Sequence, residues 1–174
     1  MSDKKFFGKY RGTVSDINDL MMLGRIKAKV PDVLGDQESS WAMPCAPFGG
    51  SSTGFFALPT VNAGVWIEFE QGDSDYPIWT GGFWGSAGEV PDSAATPAAI
   101  PPGQNILLQT TGRHMMMVSD APPSPAGGGI VLKSAGGAMI VVNETGIYVS
   151  NGQGAAITLV GPVVDINNGG LTVT

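Results

Sequence analysis

Apolar and polar residues alternate through the last third of the chain, in short runs separated by Gly, Asn and Asn-Gly turns. From Gly127 the sequence reads GGGIVLKSAGGAMIVVNETGIYVSNGQGAAITLVGPVVDINNGGLTVT. An apolar residue at every second position is typical of a strand with one buried face, and no helical spacing interrupts the runs. The pattern predicts strands over residues 106–110, 114–118, 130–134, 138–142, 147–151, 156–160, 163–167 and 171–174.

The alternation assigns one face of all these strands to a core. The paired apolar positions are Ile130 and Leu132, Ile140 and Val142, Ile147 and Val149, Ile157 and Leu159, Val164 and Ile166, and Leu171 and Val173. The opposite face suits solvent, with Lys133, Tyr148, Thr158, Asp165 and Asn167. We expect each strand of a lone chain to expose an edge, so that several identical chains must share the core. Three chains with one strand each per layer would form a β-prism of about eight layers, roughly 40 Å long.

The first part of the chain, over residues 6–85, has a different strand pattern. Five or six short strands in about eighty residues, with no convincing helix, fit a small Greek-key barrel of the OB type. The residues predicted to face its core are Tyr10, Thr13 or Val14, Ile17, Ile26, Ala28, Val30, Val65, Ile67 and Phe69. A hairpin loop is predicted over 18–24, further strands over 40–44 and 76–84, and a turn over 71–75.

A segment of different composition lies between the two strand-forming regions. The stretch EVPDSAATPAAIPPG is rich in Pro and Ala and predicts an extended or poorly ordered linker. The expected organisation is an all-β chain with an OB-fold domain and N-terminal extension over 1–85, a linker over 86–103, and a β-prism over 104–174.

Charge and cysteine content narrow the function classes. The chain is 43% hydrophobic but only 14% charged, with a net charge of −6 and a pI near 4.5, whereas about 25% charged residues is usual. A nucleic-acid-binding domain is expected to show a basic patch. The only basic cluster is Lys4, Lys5, Lys9 and Arg11, which we interpret as a solvated or partner-facing N-terminus. Cys45 is the only cysteine, which excludes an intramolecular disulfide, and we expect it to be a small buried residue.

No leader or membrane-spanning segment is apparent. The opening MSDKKFFGKYRG lacks the apolar core of a signal peptide, and no run approaches the eighteen or more apolar residues of a membrane span. We therefore expect synthesis in a cytoplasm and a soluble product.

No catalytic, cofactor-binding or metal-binding residue is predicted. His114, the only histidine, is interpreted as a side chain satisfied by a neighbouring chain rather than a ligand. Residues 115–117 are three methionines that indicate adaptable packing. Asp73 and Asp75 favour a hairpin turn over a calcium site, because the other ligands of such a site are missing.

Other candidate features also favour structural interpretations. Glu68 and Glu70 share a strand face but lack a cleft, so an exposed face or a partner contact is favoured over a carboxylate pair. The glycines at 127–129 precede a strand rather than a helix and do not predict a phosphate loop. Asn143 begins a glycosylation triplet, without any sign of secretion. The tryptophans are interpreted as barrel core or interface anchors: Trp41, Trp66, Trp79 and Trp84.

Several motifs, in this order, resemble a known family over nearly all of the chain. They are YRGTVSDINDLMMLGRIKAKVPDVLGD, WAMPCAPFGG and FFALPTVNAGVWIEFEQGDSDYPIWTGGFWG, then LLQT with Gly112 and His114, and finally ITL with Gly161, Val164, Ile166 and Asn167. Together they resemble the phage baseplate assembly protein V family, the central spike of contractile tails, and the matching part of VgrG spikes.

The resemblance implies an intertwined homotrimer, with three OB barrels followed by a triple-stranded β-helix. It implies a place in the baseplate of a virion or injection particle, where the OB domains dock on a hub at the end of the tail tube. Sheath contraction would then drive the spike into a target envelope.

The chain also departs from relatives in that family. The short segment 86–103 replaces the lysozyme domain that some members carry at this place, and His114 lies too early for the histidine-bound iron of some spike tips. We expect the hub to be a separate protein and, as a hypothesis, a PAAR-type tip to cap the end at Thr174.

Two other function classes remain as alternatives. An OB-fold binder of single-stranded nucleic acid would need a basic groove with stacking aromatic residues, which the acidic composition opposes. A β-helical polysaccharide-degrading enzyme would need paired carboxylates on a wide groove. The third region contains only widely separated ones: Asp120, Glu144 and Asp165.

Overall fold

The structure, a computed structural model, describes residues 4–94, 105–124 and 127–173. The chain divides into two compact units between Glu89 and Val90. Each unit is described by itself below.

The N-terminal unit is built on a curled five-stranded sheet. Its strands are β1 (Tyr10–Asp16), β2 (Lys27–Lys29), β3 (Met43–Pro44), β4 (Gly49–Gly50), β5 (Thr53–Gly54), β6 (Gly64–Phe69) and β7 (Pro77–Phe83). The sheet order is β2-β1-β6-β7-β3, with antiparallel neighbours except for the parallel pair of β3 and β7. Strands β4 and β5 form a separate hairpin. This half-barrel confirms the predicted all-β architecture of the first region.

Apart from Ala42, the buried core of this unit comes from the alternating positions predicted from the sequence. Its buried members are Val14, Ile26, Ala28, Val30, Ala42, Val65, Ile67 and Phe69. Of the two alternatives at the centre of β1, Val14 is buried and Thr13 is exposed. Tyr10 and Ile17 pack against the cluster from its edge. One face of β6 thus lies inside the barrel and the other on its surface, as a period-two pattern requires.

Two elements of this unit were not predicted. A single helical turn, α1 (Pro31–Leu34), follows β2; Pro31 stands at its first position and Gly35, with φ of 57°, ends it. The hairpin of β4 and β5 consists of Gly, Ser and Thr residues, so it lacks the apolar alternation that identifies a strand. Short 3₁₀ turns at Glu70–Gly72 and Ala87–Glu89 complete the unit.

The C-terminal unit is an eight-stranded antiparallel sheet. Its strands are β8 (Ile106–Gln109), β9 (Met115–Ser124), β10 (Gly127–Lys133), β11 (Met139–Asn143), β12 (Gly146–Ser150), β13 (Ala156–Val160), β14 (Val163–Ile166) and β15 (Leu171–Val173). They pair in chain order, each with its sequence neighbours. All eight predicted strands are present; β9 and β10 are longer than predicted and meet at a register shift between Gly127 and Gly129.

The expectation that every strand of a lone chain exposes an edge is wrong. Short turns return the chain directly alongside itself, so β9 to β14 are hydrogen-bonded on both sides within one chain. Among the described strands of this sheet, only β8 and β15 have an unpaired outer edge. Further chains are therefore needed to cover a face of the sheet rather than the edges of its strands.

The linker expected over 86–103 lies only partly within the described residues. It begins with the 3₁₀ turn at Ala87–Glu89 and is described as far as Ala94. The rest of that prediction lies outside the described residues. No helix among the described residues is long and apolar enough to span a membrane.

Candidate oligomerisation face

One face of the C-terminal sheet carries two columns of apolar side chains, one residue from every strand in each column. The register places these residues directly opposite one another across all eight strands. The first column is Ile106, Val118, Ile130, Val142, Ile147, Leu159, Val164 and Val173. The second is Leu108, Met116, Leu132, Ile140, Val149, Ile157, Ile166 and Leu171. We call these two columns the apolar face.

The apolar face is uncovered in a single chain. Thirteen of its side chains are between 36% and 70% exposed, and Val164 and Ile166 are half-buried. Neither column contains an ionisable or hydrogen-bonding side chain. A continuous apolar surface of this length is unusual on a soluble protein and marks a contact with another macromolecule.

The opposite face changes character along the sheet. Its central positions in β9, β10 and β11 are Met117, Val131 and Val141, all less than 5% exposed. The same position becomes Tyr148 in β12 and Thr158 in β13, both half-buried. The prediction that this face suits solvent is wrong at these three buried positions of the first half, although Lys133 in β10 is exposed as predicted. In the second half, Tyr148, Thr158 and Asp165 are half-buried and Asn167 is exposed. The continuous apolar runs MMMV, IVL and MIVV are the signal for strands that are apolar on both faces.

Glycine is required where the turns bring backbones together. Gly152 has φ of 73°, and a Cβ at this position would lie 2.7 Å from the carbonyl carbon of Gly137. Gly137 lies in the turn between β10 and β11 and Gly152 in the turn between β12 and β13, so these two turns approach closely at one end of the strands. An L side chain at Gly152 would be strained in both backbone conformation and packing.

The residues at the start of this sheet pack rather than converge on a ligand. His114 is exposed, and its Nδ1 accepts a hydrogen bond from the Ala135 backbone N–H at 3.4 Å. Met115 and Met117 are buried on one face, whereas Met116 belongs to the apolar face. This placement accords with the packing role predicted for the methionines. The prediction that a neighbouring chain satisfies His114 stays a prediction.

The acidic candidates of the N-terminal unit lie in surface contacts. Glu68 Oε1 accepts a hydrogen bond from Lys9 Nζ at 2.6 Å. The Asp73 carboxylate accepts the Asp75 backbone N–H at 3.0 Å and lies 3.9 Å from Lys5 Nζ, which is the geometry of a turn. Among the described residues, no three His, Cys, Asp or Glu side chains lie together as metal ligands would.

Cys45 is exposed, contrary to the expectation of a buried residue. Its backbone N–H bonds to the Trp79 carbonyl oxygen at 2.9 Å, which fixes its position after β3. Its side chain faces the groove beneath the β4–β5 hairpin instead of the core. The apolar neighbours in AMPCAPFG thus line a surface groove. An apolar composition alone does not show whether a segment lines a surface groove or lies in the protein interior.

The tryptophans divide between the two interpretations given to them. Trp79 packs against the core, and its Nε1–H donates to the Gly24 carbonyl oxygen at 3.1 Å. Trp66 lies on the outer side of β6, where its ring centroid is 4.9 Å from that of Phe83. The cationic groups of Arg25 and Lys27 lie over the Trp41 ring. Trp84 is 63% exposed.

Comparison with known families supports both regions of the chain. Residues 10–84 match the model described as the type VI secretion system/phage-baseplate injector OB domain. Residues 105–172 match the phage baseplate V C-terminal trimerisation domain. The search of curated proteins finds no match. The trimerisation match covers the strands that carry the apolar face, so three copies of the chain are the partners that this face requires.

Proposed function

Because the chain belongs to the phage baseplate V family of structural baseplate proteins, we propose that it forms the central spike of a contractile phage tail or a related injection system. In this proposal the homotrimer docks through its OB domains on a separate hub protein at the end of the tail tube. Sheath contraction then presses the spike into the target envelope. Its place is the baseplate of a virion or injection particle.

The observation that carries the proposal is the unbroken apolar face. It continues through eight hydrogen-bonded strands without a polar interruption, so three such faces can enclose one dry core along the whole sheet. Eight strands at about 4.8 Å give a prism roughly 40 Å long. A closed rod whose inner strands are paired on both sides is expected to unfold slowly, which is a property that a mechanical part needs.

The proposed mechanism is transmission of force rather than catalysis. In the prism, the backbone hydrogen bonds of each sheet follow the long axis, and the apolar columns hold the three sheets together. Axial load then falls on the many parallel bonds of the strand ladders. A PAAR-like protein at the C-terminal end is part of the proposal as a tip, because the outer edge of β15 has no partner among the described strands.

The nucleic-acid alternative has little support among the described residues. The Arg11 guanidinium lies 4.7 Å from the Phe83 ring centroid and 5.0 Å from that of Trp66, and Arg25 is paired with Asp19. These aromatic rings are therefore occupied by protein cations rather than free to stack on bases. We expect no retention of labelled single strands even at low salt.

The test of the spike proposal is particle assembly in the bacterium that encodes the chain. Replacing the native protein with Val142→Asp, on the apolar face, should yield particles that lack the spike and do not kill target cells. Lys133→Asp, an exposed position on the opposite face, is the matched control and should assemble normally. Normal spikes and killing with Val142→Asp would contradict the proposal. The proposal would also be contradicted if wild-type particles did not contain this protein.

A further inference from the structure

The N-terminal unit exposes a second apolar surface, formed by the loop after β1 and the segment before β6. We call it the Phe56 surface. The ring of Phe56, 70% exposed, packs over Gly24, where an added Cβ would lie 3.1 Å from Phe56 Cε2. Phe56 stands between two grooves, and both grooves include Gly24. The exposed apolar side chains lining them are Leu20, Met22, Leu23, Phe48, Phe55 and Leu58.

A buried ion pair holds the loop of this surface in place. Asp19 Oδ1 accepts hydrogen bonds from Arg25 Nη2 at 2.6 Å and Nε at 3.1 Å. Its carboxylate also accepts the backbone N–H groups of Met21 and Leu23, at 3.1 and 2.8 Å. The Arg25 guanidinium, together with these donors, holds the pKa of the Asp19 carboxyl well below its usual range.

The bonded loop presents its apolar side chains outward instead of folding them in. Leu20 is 95% exposed and Met22 is 84% exposed, with φ of 54° at Met22. A loop fixed before binding loses little conformational freedom when it is buried, which is characteristic of contact residues at stable interfaces.

The charges around the two grooves favour a copy of the same chain. The chain is acidic, with a net charge of −6, so identical copies repel one another over most of their surface. Among the residues that line these two grooves, the only carboxylate is Asp19, which Arg25 already neutralises. Two copies can therefore approach here without placing unpaired like charges together.

Trimerisation supplies the copies. Each sheet that trimerises belongs to the same chain as one N-terminal unit, so a trimer contains three N-terminal units. A contact between two of these units forms within one assembly, so even a weak apolar contact has a high effective concentration in its favour.

A ring of three identical units uses two different surfaces on each unit, because its contacts run head to tail. The centres of three such units form an equilateral triangle, so the directions from one unit to its two neighbours differ by roughly 60°. The two contact surfaces of each unit must therefore lie next to each other. The unit has such a neighbouring surface: Leu58 lies in one Phe56 groove, and the next residue, Pro59, begins a groove with Val61 and Trp84. Val61 is 44% exposed and Trp84 63%.

We infer that the Phe56 surface of each N-terminal unit binds the Val61 and Trp84 groove of the neighbouring copy in the trimer. The inference rests on trimerisation and not on the role in puncturing. The contact closes the three N-terminal units into a ring, independently of the apolar face that joins the C-terminal sheets.

The first test is photo-crosslinking in the full-length protein. Phe56 is replaced by benzoylphenylalanine, and the matched control carries the same group at Phe7, an exposed aromatic residue outside these grooves. Ultraviolet light should give several-fold more covalent dimer and trimer from position 56 than from position 7. Peptide mapping should place the crosslinks near Val61 or Trp84 of the neighbouring copy.

Equal crosslinking at both positions, in protein that light scattering shows to be trimeric, would overturn the inference and leave the spike proposal standing. Crosslinks from position 56 only to a different protein in whole particles would also overturn it and assign the surface to the hub.

Cys45 provides an independent readout without an introduced group, because it lines one of the grooves and is the only cysteine. Its reaction with a maleimide should be several-fold slower in the wild-type trimer than in a full-length variant that cannot trimerise. Equal rates would show that no neighbouring copy covers the groove and would overturn the inference.

Discussion

Substitution of Ile140 by Asp tests the central argument about the apolar face. Ile140 lies in β11, directly between Leu132 of β10 and Val149 of β12 in one column, and is 42% exposed in a single chain. In the single chain, an aspartate at this position can still reach water. In the trimer, three carboxylates would be enclosed in one layer of an apolar core.

The free energy that the apolar face contributes to trimer assembly follows from the exposed fractions of its side chains in a single chain. Complete burial of a Val, Leu, Ile or Met side chain stabilises by about 1.5–3 kcal/mol, so a side chain that is about half exposed gains roughly 1 kcal/mol on assembly. The thirteen exposed members of the columns then contribute on the order of 40 kcal/mol per trimer, an upper estimate. The opposing cost is about 4–15 kcal/mol for each of the two association steps.

A buried carboxylate without a partner costs several kcal/mol, and three of them in one layer cost on the order of 10 kcal/mol or more. The substitution also removes three isoleucines, each of which contributes roughly 1 kcal/mol to assembly. Together these losses are comparable with the net free energy of assembly. We therefore expect Ile140→Asp to abolish the trimer without unfolding the barrel of the N-terminal unit.

Light scattering measures the outcome directly. Wild-type protein should have a mass near three times 17.9 kDa, and Ile140→Asp a mass near 17.9 kDa. Lys133→Asp places the same side chain at an exposed position on the opposite face and should remain trimeric. Circular dichroism checks that the variant keeps its β-structure. A trimer of Ile140→Asp with an unchanged thermal midpoint would refute the assignment of the apolar face.

Two further predictions concern the loops and turns. Asp19→Asn removes the ion pair with Arg25 and should lower the thermal midpoint at pH 7. Because the folded-state pKa of Asp19 lies below the unfolded value of about 4, this stabilisation is complete above about pH 4 and is lost as the pH falls toward the folded pKa. The midpoints of variant and wild type, measured by circular dichroism, should therefore converge in acid; a constant difference from pH 7 to pH 3 would contradict the prediction. Gly152→Ala should destabilise by more than about 1 kcal/mol in denaturant unfolding, because its Cβ would meet the Gly137 backbone at positive φ. Gly136→Ala is its control, because Gly136 has no positive φ and an added Cβ there would make only an ordinary contact, 3.9 Å from Ser134 Oγ; equal effects would exclude the steric explanation.

The C-terminal strands were predictable because a single rule governs all of them. Each strand has two apolar residues two positions apart, and most of the described turns have Gly or Asn where positive φ or close approach is needed. The turn between β8 and β9 differs, because its residue with positive φ is Arg113. The predicted bounds 156–160 coincide with those of β13, and the other starts differ by at most a few residues. The pairing within one chain was missed for a physical reason: alternation specifies which face is buried but not which strand forms the neighbouring edge.

The features that escaped prediction depend on contacts between residues distant in sequence or on backbone geometry. The burial of Val131 and Val141 requires knowledge of the second face of the sheet, which a period-two pattern with one apolar face does not provide. Cys45 lies in a surface groove together with residues of the β4–β5 hairpin, which the sequence pattern did not predict. The role of Asp19 follows from a carboxylate that accepts bonds from Arg25 six residues later, and sequence reasoning had placed only a hairpin loop there.

The strand pairing also decides how the proposed spike holds together. Since β9 to β14 are paired on both sides within each chain, the hydrogen bonds along the prism axis do not depend on a neighbouring chain. Lateral cohesion between the sheets then comes from the apolar columns, which offer no polar side chain for bonding between chains. Weakening one layer of the columns therefore lowers the affinity between chains while each axial ladder stays intact. A rod built in this way can fail by separation of its chains, but compression along its axis acts on bonds that every chain makes for itself.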